Sequence, residues 1–429
     1  MKVRMFLFLF LSLILFHGQS IARAGDITAV NKHRHSNDSL VKIDARKKWS
    51  VRIADSFIER YPAFEIYDSI YGGKWTSGQG VVLEALQQLW LAARDVKYLT
   101  YIKSNIDMFI GGDGSIRTYN YNDFNLENIN TGRQLLFLYS VTKNKKYKIA
   151  ADTLMKQLKN QPRTNAGGFW HKKDYPFQMR LESLYMCEPF YSQYSKMFRG
   201  NFNFDDIAHQ LILTAEKMRD EKTGLLCCAR DECLLQKWAD PKTERAPNFL
   251  APDLGWYTMA LVDVLDYFPK NHPKRKELIG IFRDLSLTLA KARDVNCRLW
   301  YQVIDQGAVN GNCHDASARC MFGYAFAKGA NKGYLDRKYL SFAKETFYGV
   351  ASNLAGTDEM GCKNLQSTSP DRESGGKPYY DESLAKNLSN LQRIGGLKGV
   401  GTLILMAIEL EKAHMLKAEK LAYKKRAED

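Results

Sequence analysis

The sequence predicts an all-α protein, an (α/α)6 barrel in which six helical hairpins close into a ring. Apolar residues recur at spacings of three and four along most of the chain, as at Leu83, Leu86 and Trp90. This is the period of an amphipathic helix. The alternation of apolar and polar residues that is typical of strands is nearly absent, apart from Leu299 to Ile304.

Twelve segments carry the helical period, and the joints between them are mostly short, so successive helices should pair as antiparallel hairpins. The predicted helices are 43–60, 76–94, 95–110, 131–142, 144–160, 176–199, 204–220, 255–268, 273–294, 315–329, 336–354 and 398–415. An inner layer ringed by an outer one buries the apolar faces, whereas a straight solenoid would leave apolar ends that need caps. We expect one rim of the ring to collect the long polar connections and to build the site: 111–130, 161–175, 221–254, 295–314 and 357–397.

The first residues predict a secretory signal peptide over 1–24. Lys2 and Arg4 precede an apolar run from Met5 to Phe16, and Ala22 to Ala24 offer a small-residue cleavage site. We therefore expect an exported protein, periplasmic or extracellular, with no membrane span. The rest of the chain divides into a flexible lead-in (25–42), the barrel domain (43–415) and a charged tail without assigned function (416–429).

Charge and cysteine content narrow the classes of partner. The net charge of +15 suits a polyanion, and export favours an acidic polysaccharide over nucleic acid. The eight cysteines form no C-x-x-C pair and have no metal-type spacing with histidine. We expect no metal and no organic cofactor, and the sequence leaves the oligomeric state open.

The segment from Gln161 to Met186 is the first candidate for chemistry. Gly167 and Gly168 permit backbone conformations closed to other residues, and Trp170 and His171 follow them in the same loop. A stacking ring and a titratable ring would thus be presented together. The alternative is that the glycines and aromatic rings simply turn the chain and fill a core, with a structural histidine.

The residues after this loop predict a helix that begins near Asp174. Asp174 and Pro176 have the order of a capping residue and a first-turn proline. Arg180 and Glu182 would then lie in the first two turns, close to the loop. A carboxyl group and a positive charge beside two aromatic rings are what a pocket for an acidic sugar needs.

The same motifs resemble those of a known enzyme family. The segments Pro162 to Thr164, Gly167 to Lys172, Tyr175-Pro176, Gln178-Met179 and Leu184 to Met186 are similar to those of unsaturated glycuronyl hydrolases of the rhamnogalacturonyl type, glycoside hydrolase family 105, with family 88 as a more distant relative. The resemblance covers nearly the whole chain after the signal peptide. It implies an (α/α)6 barrel and a reaction without metal or organic cofactor.

The resemblance also implies roles for two acids. Glu182 matches the family's general acid and base, and Glu127, in Asp123 to Arg133, matches an aspartate that positions substrate and water. The enzymes of this family protonate C4 of a 4,5-unsaturated uronic acid and add water at C5, after which the hemiketal collapses and the neighbouring sugar leaves. Trp170, His171, Arg180 and Trp256 would bind a substrate derived from pectin or rhamnogalacturonan.

Several positions depart from the family pattern. Both acids are glutamate where aspartate is expected, and Arg180 replaces a tryptophan. Other departures are Cys228 for histidine, Leu250 for tryptophan, Pro252 for arginine and Asp315 for glutamate. They leave open an alternative, a catalytically impaired member that binds acidic carbohydrate. A barrel enzyme with other chemistry, such as a direct glycosidase or a polysaccharide lyase, is a third.

Overall fold

The computed structural model describes residues 47–63, 73–198, 203–295, 299–309, 312, 314–352 and 396–416. All of them belong to one compact unit. The predicted signal peptide, the lead-in, the charged tail beyond Leu416 and most of the connection 357–397 lie outside the described residues. No helix within the described part is long and apolar enough to cross a bilayer.

Twelve α-helices alternate between an outer and an inner layer in this part of the chain. The outer helices are α1 (Trp49–Arg60), α3 (Val96–Asp107), α5 (Lys145–Lys159), α7 (Asn203–Met218), α9 (Arg275–Lys291) and α11 (Lys338–Ser352). The inner helices are α2 (Ser77–Ala93), α4 (Gly132–Thr142), α6 (Ser183–Met197), α8 (Ala251–Val264), α10 (Ala316–Asn331) and α12 (Leu397–Lys412). All twelve predicted helices are confirmed, most of them to within a few residues.

The burial of each helix explains its layer. Every residue of α8 is buried, as expected of a helix that is apolar on all sides. In α5, by contrast, the buried residues fall on one face and lysines occupy the other. The second kind of helix can have one face in water, so it forms the outer layer.

The inner helices close into a ring. Each packs against the next in the order α2, α4, α6, α8, α10 and α12, and α12 packs against α2. Each outer helix covers an inner one: α3 lies on α2, α5 on α4, α7 on α6, α9 on α8, α11 on α10 and α1 on α12. The (α/α)6 barrel is confirmed.

The connections differ in length between the two ends of the barrel. Long segments lead into the N-termini of α4, α6, α8 and α10, namely 108–131, 160–182, 219–250 and 292–315, whereas the joints that leave the inner helices are shorter. Four of the five predicted connections thus gather at one rim. This rim also holds the N-termini of the inner helices, where the helix dipoles favour negative charge.

The predicted helix over 176–199 begins later than expected. Residues Gln178–Arg180 form a strand, β1, which pairs antiparallel with β2 (Ala229–Asp231) from the connection before α8. Phe177 has a positive φ of 59°, which interrupts any helix there. Arg180 therefore lies on a strand, and Glu182 is the residue immediately before α6. The predicted alternation at Leu299 to Ile304 yields only isolated bridges, such as Leu250 with Val303.

A network of charged side chains lies inside the ring. Arg133 of α4 is 3.2 Å from both Glu84 of α2 and Asp263 of α8, and Lys328 of α10 lies 2.7 Å from Asp263. All four residues are buried. Because ions are costly to bury unless they are paired, this network ties four inner helices to one arrangement.

Candidate active site

Three titratable side chains from different connections converge at the rim. Glu127, His171 and Glu182 each place one nitrogen or oxygen atom within 4.8 Å of the other two, and all three residues are buried. Glu127 lies in a 3-10 turn (Leu126–Ile129) before α4, and Glu182 lies before α6. The two acids and the histidine that the sequence singled out are therefore neighbours in space.

Local hydrogen bonds position Glu127. Its backbone N–H donates to Oδ1 of Asn125 at 3.0 Å, which begins the 3-10 turn. The N–H of Leu126 donates to the carbonyl oxygen of His171 at 3.1 Å. This second bond joins the connection before α4 to the connection before α6, so the carboxyl group and the imidazole are held by adjacent backbone.

His171 is held at both its backbone and its ring. Its N–H donates to the carbonyl of Gln178 at 2.9 Å, and its Nδ1 lies 2.7 Å from Oγ of Ser183. Its Nε2 lies 3.7 Å from Oε1 of Glu127. Burial, reinforced by the charges of Arg180 and Lys172, holds the pKa of His171 well below its usual value. The ring is therefore neutral near pH 7 and acts through hydrogen bonds.

Glu182 stands at the entrance of an inner helix. Its carbonyl oxygen accepts the N–H of Tyr185 at 3.0 Å, the first bond of α6, and the N–H of Leu181 donates to the carbonyl of Cys228 at 3.0 Å. The residue is 9% exposed. The carboxyl group thus lies at the positive end of a helix dipole.

Arg180 supplies a buried cation two residues before Glu182 in the sequence. Its Nη2 donates to Oε1 of Gln178 at 3.3 Å. Its guanidinium carbon lies 5.9 Å from the ring of Tyr175 and 6.0 Å from that of Trp238. Tyr175 in turn stacks on His171, with 6.2 Å between ring centroids. Two aromatic rings therefore hold the guanidinium near the imidazole, and its charge acts on that ring.

The two predicted tryptophans occupy different places. Trp170 is partly exposed, and its ring packs on Phe177 with 4.7 Å between centroids. Trp256 is 4% exposed and stacks on Tyr185 at 4.8 Å, with 23° between the ring planes. Trp170 thus lies at the rim beside His171. Trp256 packs inside the ring against Tyr185, which follows Glu182 by three residues, about one turn of α6.

The departures from the family pattern have structural counterparts. Cys228 and Leu250 are fully buried in a small apolar cluster with Ala229, Ala246 and Val303. The carboxylate of Asp315 caps α10 by accepting the N–H of Ala318 at 2.8 Å. In this chain these positions contribute packing and a helix cap.

Sequence reasoning missed three residues of the site. Ser183 contacts the imidazole, Asn125 orients the turn of Glu127, and Trp238 covers Arg180. The first two had a local signal, because a serine after the candidate acid and an asparagine two residues before the other one are both common hydrogen-bonding positions. Trp238 lies in a connection without regular periodicity and had none.

Known proteins share this fold and sequence pattern. Residues 49–414 match the profile of Glycosyl Hydrolase Family 88. A glycoside hydrolase of family 105 from C. acetobutylicum ATCC 824 is 36% identical, with a TM-score of 0.81 over 85% of this chain and 100% of that one. A possible family 105 member from Klebsiella pneumoniae subsp. pneumoniae MGH 78578 is 19% identical, with a TM-score of 0.67 over 80% of this chain and 84% of that one, and shares the fold.

A curated relative matches a shorter stretch. Protein Atu3128 of Agrobacterium fabrum is 31% identical over 153 residues, which are 33% of this chain and 62% of that protein. The chain therefore spans less than two thirds of that relative's length. The profile match, in contrast, covers nearly all of the barrel and includes all three converging side chains. The chain belongs to glycosyl hydrolase family 88.

Proposed function

We propose that this protein removes 4,5-unsaturated uronic acid from oligosaccharides derived from pectin or rhamnogalacturonan, by acid-catalysed hydration of the double bond. The observation that carries the proposal is the convergence of Glu127, His171 and Glu182 within 4.8 Å at the rim of the barrel. Two neighbouring carboxyl groups are the usual requirement for acid–base chemistry on sugars.

The proposed reaction needs only these side chains and water. Glu182 in its acid form gives a proton to C4 of the vinyl ether, and a water molecule adds to C5. That water returns a proton to Glu182, so the acid is regenerated. The hemiketal then collapses, the ring opens and the neighbouring sugar leaves with its oxygen. Glu127, whose carboxylate lies within 4.8 Å of that of Glu182, orients the water.

The cations and rings around the acids would bind the uronide. Arg180, held between Tyr175 and Trp238, supplies the positive charge that a uronate carboxylate requires. His171, neutral because of its lowered pKa, donates or accepts a hydrogen bond without competing for that carboxylate. Trp170 offers its ring at the rim, and Trp256 supports the floor through Tyr185.

The setting of the reaction follows from the N-terminal sequence and the charge. The predicted signal peptide supports export, to the periplasm or beyond the cell. The net charge, +15 for the whole sequence and +12 without Lys2, Arg4 and Arg23 of the predicted signal peptide (15 − 3), supports an acidic partner. An exported enzyme of this kind would act on the unsaturated ends that polysaccharide lyases leave on their products.

A second candidate function is binding of acidic carbohydrate without turnover. The observation that favours it is the apolar cluster around Cys228 and Leu250, because the resembled family carries histidine and tryptophan at these positions. In addition, each glutamate reaches one methylene further than an aspartate, and a misplacement near 1 Å can cost on the order of 10²-fold in rate.

Turnover of an unsaturated galacturonyl-rhamnose disaccharide tests the proposal. We expect the absorbance of the double bond to disappear with the wild type, and Glu182→Gln to lower kcat by about 10²- to 10⁴-fold, the usual contribution of a general acid–base. Glu188→Gln is the matched control, because Glu188 is a buried glutamate on the same helix.

Three results would count against the enzyme. Equal rates for Glu182→Gln and the wild type would refute the role of Glu182. Binding of the disaccharide by calorimetry without any loss of absorbance would favour the second candidate. Cleavage of saturated glycosides or of uncleaved polymer would assign a different reaction to the barrel.

A further inference from the structure

We propose that Glu127, His171 and Glu182 also form a binding site for a divalent transition-metal ion of the Zn²⁺ class, and that this ion competes with the sugar. The metal site does not depend on the proposed function. The competition rests on the proposed function. Among the described residues this is the one group of three histidine, cysteine or acidic side chains with ligand atoms close enough to hold an ion.

The donor set fits that class of ion. One imidazole nitrogen and two carboxylate oxygens are ligands that zinc accepts, with water in the fourth position. Bonds of about 2.0–2.1 Å in a tetrahedron place ligand atoms roughly 3.4 Å apart. The three ligand atoms lie within 4.8 Å of one another, and Nε2 of His171 is already 3.7 Å from Oε1 of Glu127. Small side-chain rotations close the remaining gap.

The extra methylene of each glutamate makes these rotations available. The resembled family carries aspartates at both positions, and a shorter side chain reaches less far from the same backbone. Oε2 of Glu127 lies 3.5 Å from Nδ2 of Asn125, and Oε1 lies 3.7 Å from Nε2 of His171. The two substitutions that lengthen the acids thus also give them the reach to share one ion.

Ser183 orients the histidine as a ligand. Its Oγ lies 2.7 Å from Nδ1, and a hydroxyl can accept the Nδ1–H as well as donate to that nitrogen. When it accepts, the lone pair of Nε2 faces the carboxylates. A second partner on the other ring nitrogen is the usual arrangement of metal-bound histidines, and its loss typically lowers metal affinity about 10- to 100-fold.

Positive charge near the three side chains should weaken the binding of the metal ion. The guanidinium of Arg180 lies 5.9 Å from the ring of Tyr175, which stacks on His171, so its charge opposes an incoming cation while the two carboxylates attract it. We therefore expect reversible binding, so that a chelator removes the ion. Because the ion occupies both carboxylates, Glu182 can no longer protonate C4 and Glu127 can no longer position the water, so the sugar and the ion exclude each other.

Metal binding by the full chain, without substrate, tests the site. Equilibrium dialysis against Zn²⁺ measures stoichiometry and affinity, and Co²⁺ reports ligand geometry through its visible absorption. We expect one ion per chain at this site. Glu127→Gln and Glu182→Gln should each weaken binding at least tenfold, Ser183→Ala by about 10- to 100-fold, and Glu188→Gln not at all. Thermal melting confirms that each variant is folded.

The outcomes separate this proposal from the proposed function. Zinc that remains equally bound in both glutamine variants is held elsewhere and overturns the site, as does the absence of stoichiometric binding to the wild type. Binding that depends on both glutamates upholds the site whether or not the disaccharide is turned over. If the enzyme is active, inhibition by Zn²⁺ that rises as substrate falls confirms the competition, and activity unaffected by bound Zn²⁺ refutes it.

Discussion

Replacement of Arg180 by methionine should weaken binding of the uronate and change the titration of His171. Methionine retains an unbranched apolar stem between Tyr175 and Trp238, where the guanidinium carbon now lies 5.9 and 6.0 Å from the rings, but it removes the charge. A hydrogen bond to a charged group contributes about 1.5–3 kcal/mol, which corresponds to roughly a 10- to 150-fold rise in KM. We expect kcat to change much less, because the carboxylate is bound equally in ground and transition states.

The same substitution should raise the pKa of His171. Burial is the main reason that this pKa lies well below its usual value, and the charge of Arg180 is the next. A positive neighbour disfavours the protonated ring, so its removal favours protonation. NMR titration of the imidazole, assigned with a His171→Gln variant, measures the shift. Lys172→Met, which removes the weaker of the two charges, should move the pKa in the same direction by less.

Three results would count against the reasoning about Arg180. A KM for Arg180→Met within about twofold of the wild type would show that the guanidinium does not pair with the carboxylate. An unchanged His171 titration would show that the cation does not act on the ring. An equal rise in KM for a substrate analogue without the carboxylate would assign the loss to packing.

Two further predictions concern stability. Arg133→Met removes the arginine that lies 3.2 Å from the buried carboxylates of Glu84 and Asp263, so we expect the free energy of unfolding to fall by about 3–5 kcal/mol. For a barrel of about 370 residues this corresponds to a fall of roughly 4–6 °C in Tm. A fall in Tm below about 1 °C, measured by calorimetry, would contradict this prediction. The pKa of His171 is lowered in the folded protein, so as the pH falls below about 6.5 the histidine is protonated in the unfolded chain but not in the folded one. Because the unfolded state then binds more protons, the stability should decline with falling pH. Urea unfolding at several pH values measures the free energy of unfolding of the wild type and of His171→Gln. This free energy should decline less with falling pH in the variant, and an equal pH dependence in both proteins would refute the role of His171.

The layers of the barrel could be predicted because helical periodicity is a local property of the sequence. Each inner and outer helix carries its own pattern of apolar residues, and the short joints imply hairpins. Closure of the ring is different, since α12 packs on α2 over more than 300 residues of sequence and no local pattern specifies that contact. The resemblance to a known family supplied it.

The start of α6 shows where local signals mislead. Asp174 and Pro176 have the order of a helix start, yet the helix begins at Ser183. The residues between them pair with β2, about 50 positions further along the chain. A strand of three residues has too little alternation to be recognised, so its partner decides its conformation.

The sequence singled out the two acids of the candidate site, but it did not indicate the residues that surround them. Glu127 and Glu182 were identified through the family motif, and their 55-residue separation in sequence gave no indication of contact. Trp238 and Ser183 reach the site only after the long connections fold against each other. Arg180 was placed on the wrong element but beside the right residues, because it lies only two positions from Glu182 in either conformation.

A double-mutant cycle on Glu127 and Glu182 tests the central claim most directly, namely that the two carboxyl groups act as one catalytic unit. The measurement is kcat/KM on the unsaturated disaccharide for Glu127→Gln, Glu182→Gln and the double variant. Residues that act as a unit are strongly non-additive, so we predict that the double variant is no slower than the worse single variant. Losses that multiply in the double variant would show that the two acids work independently and would contradict the account.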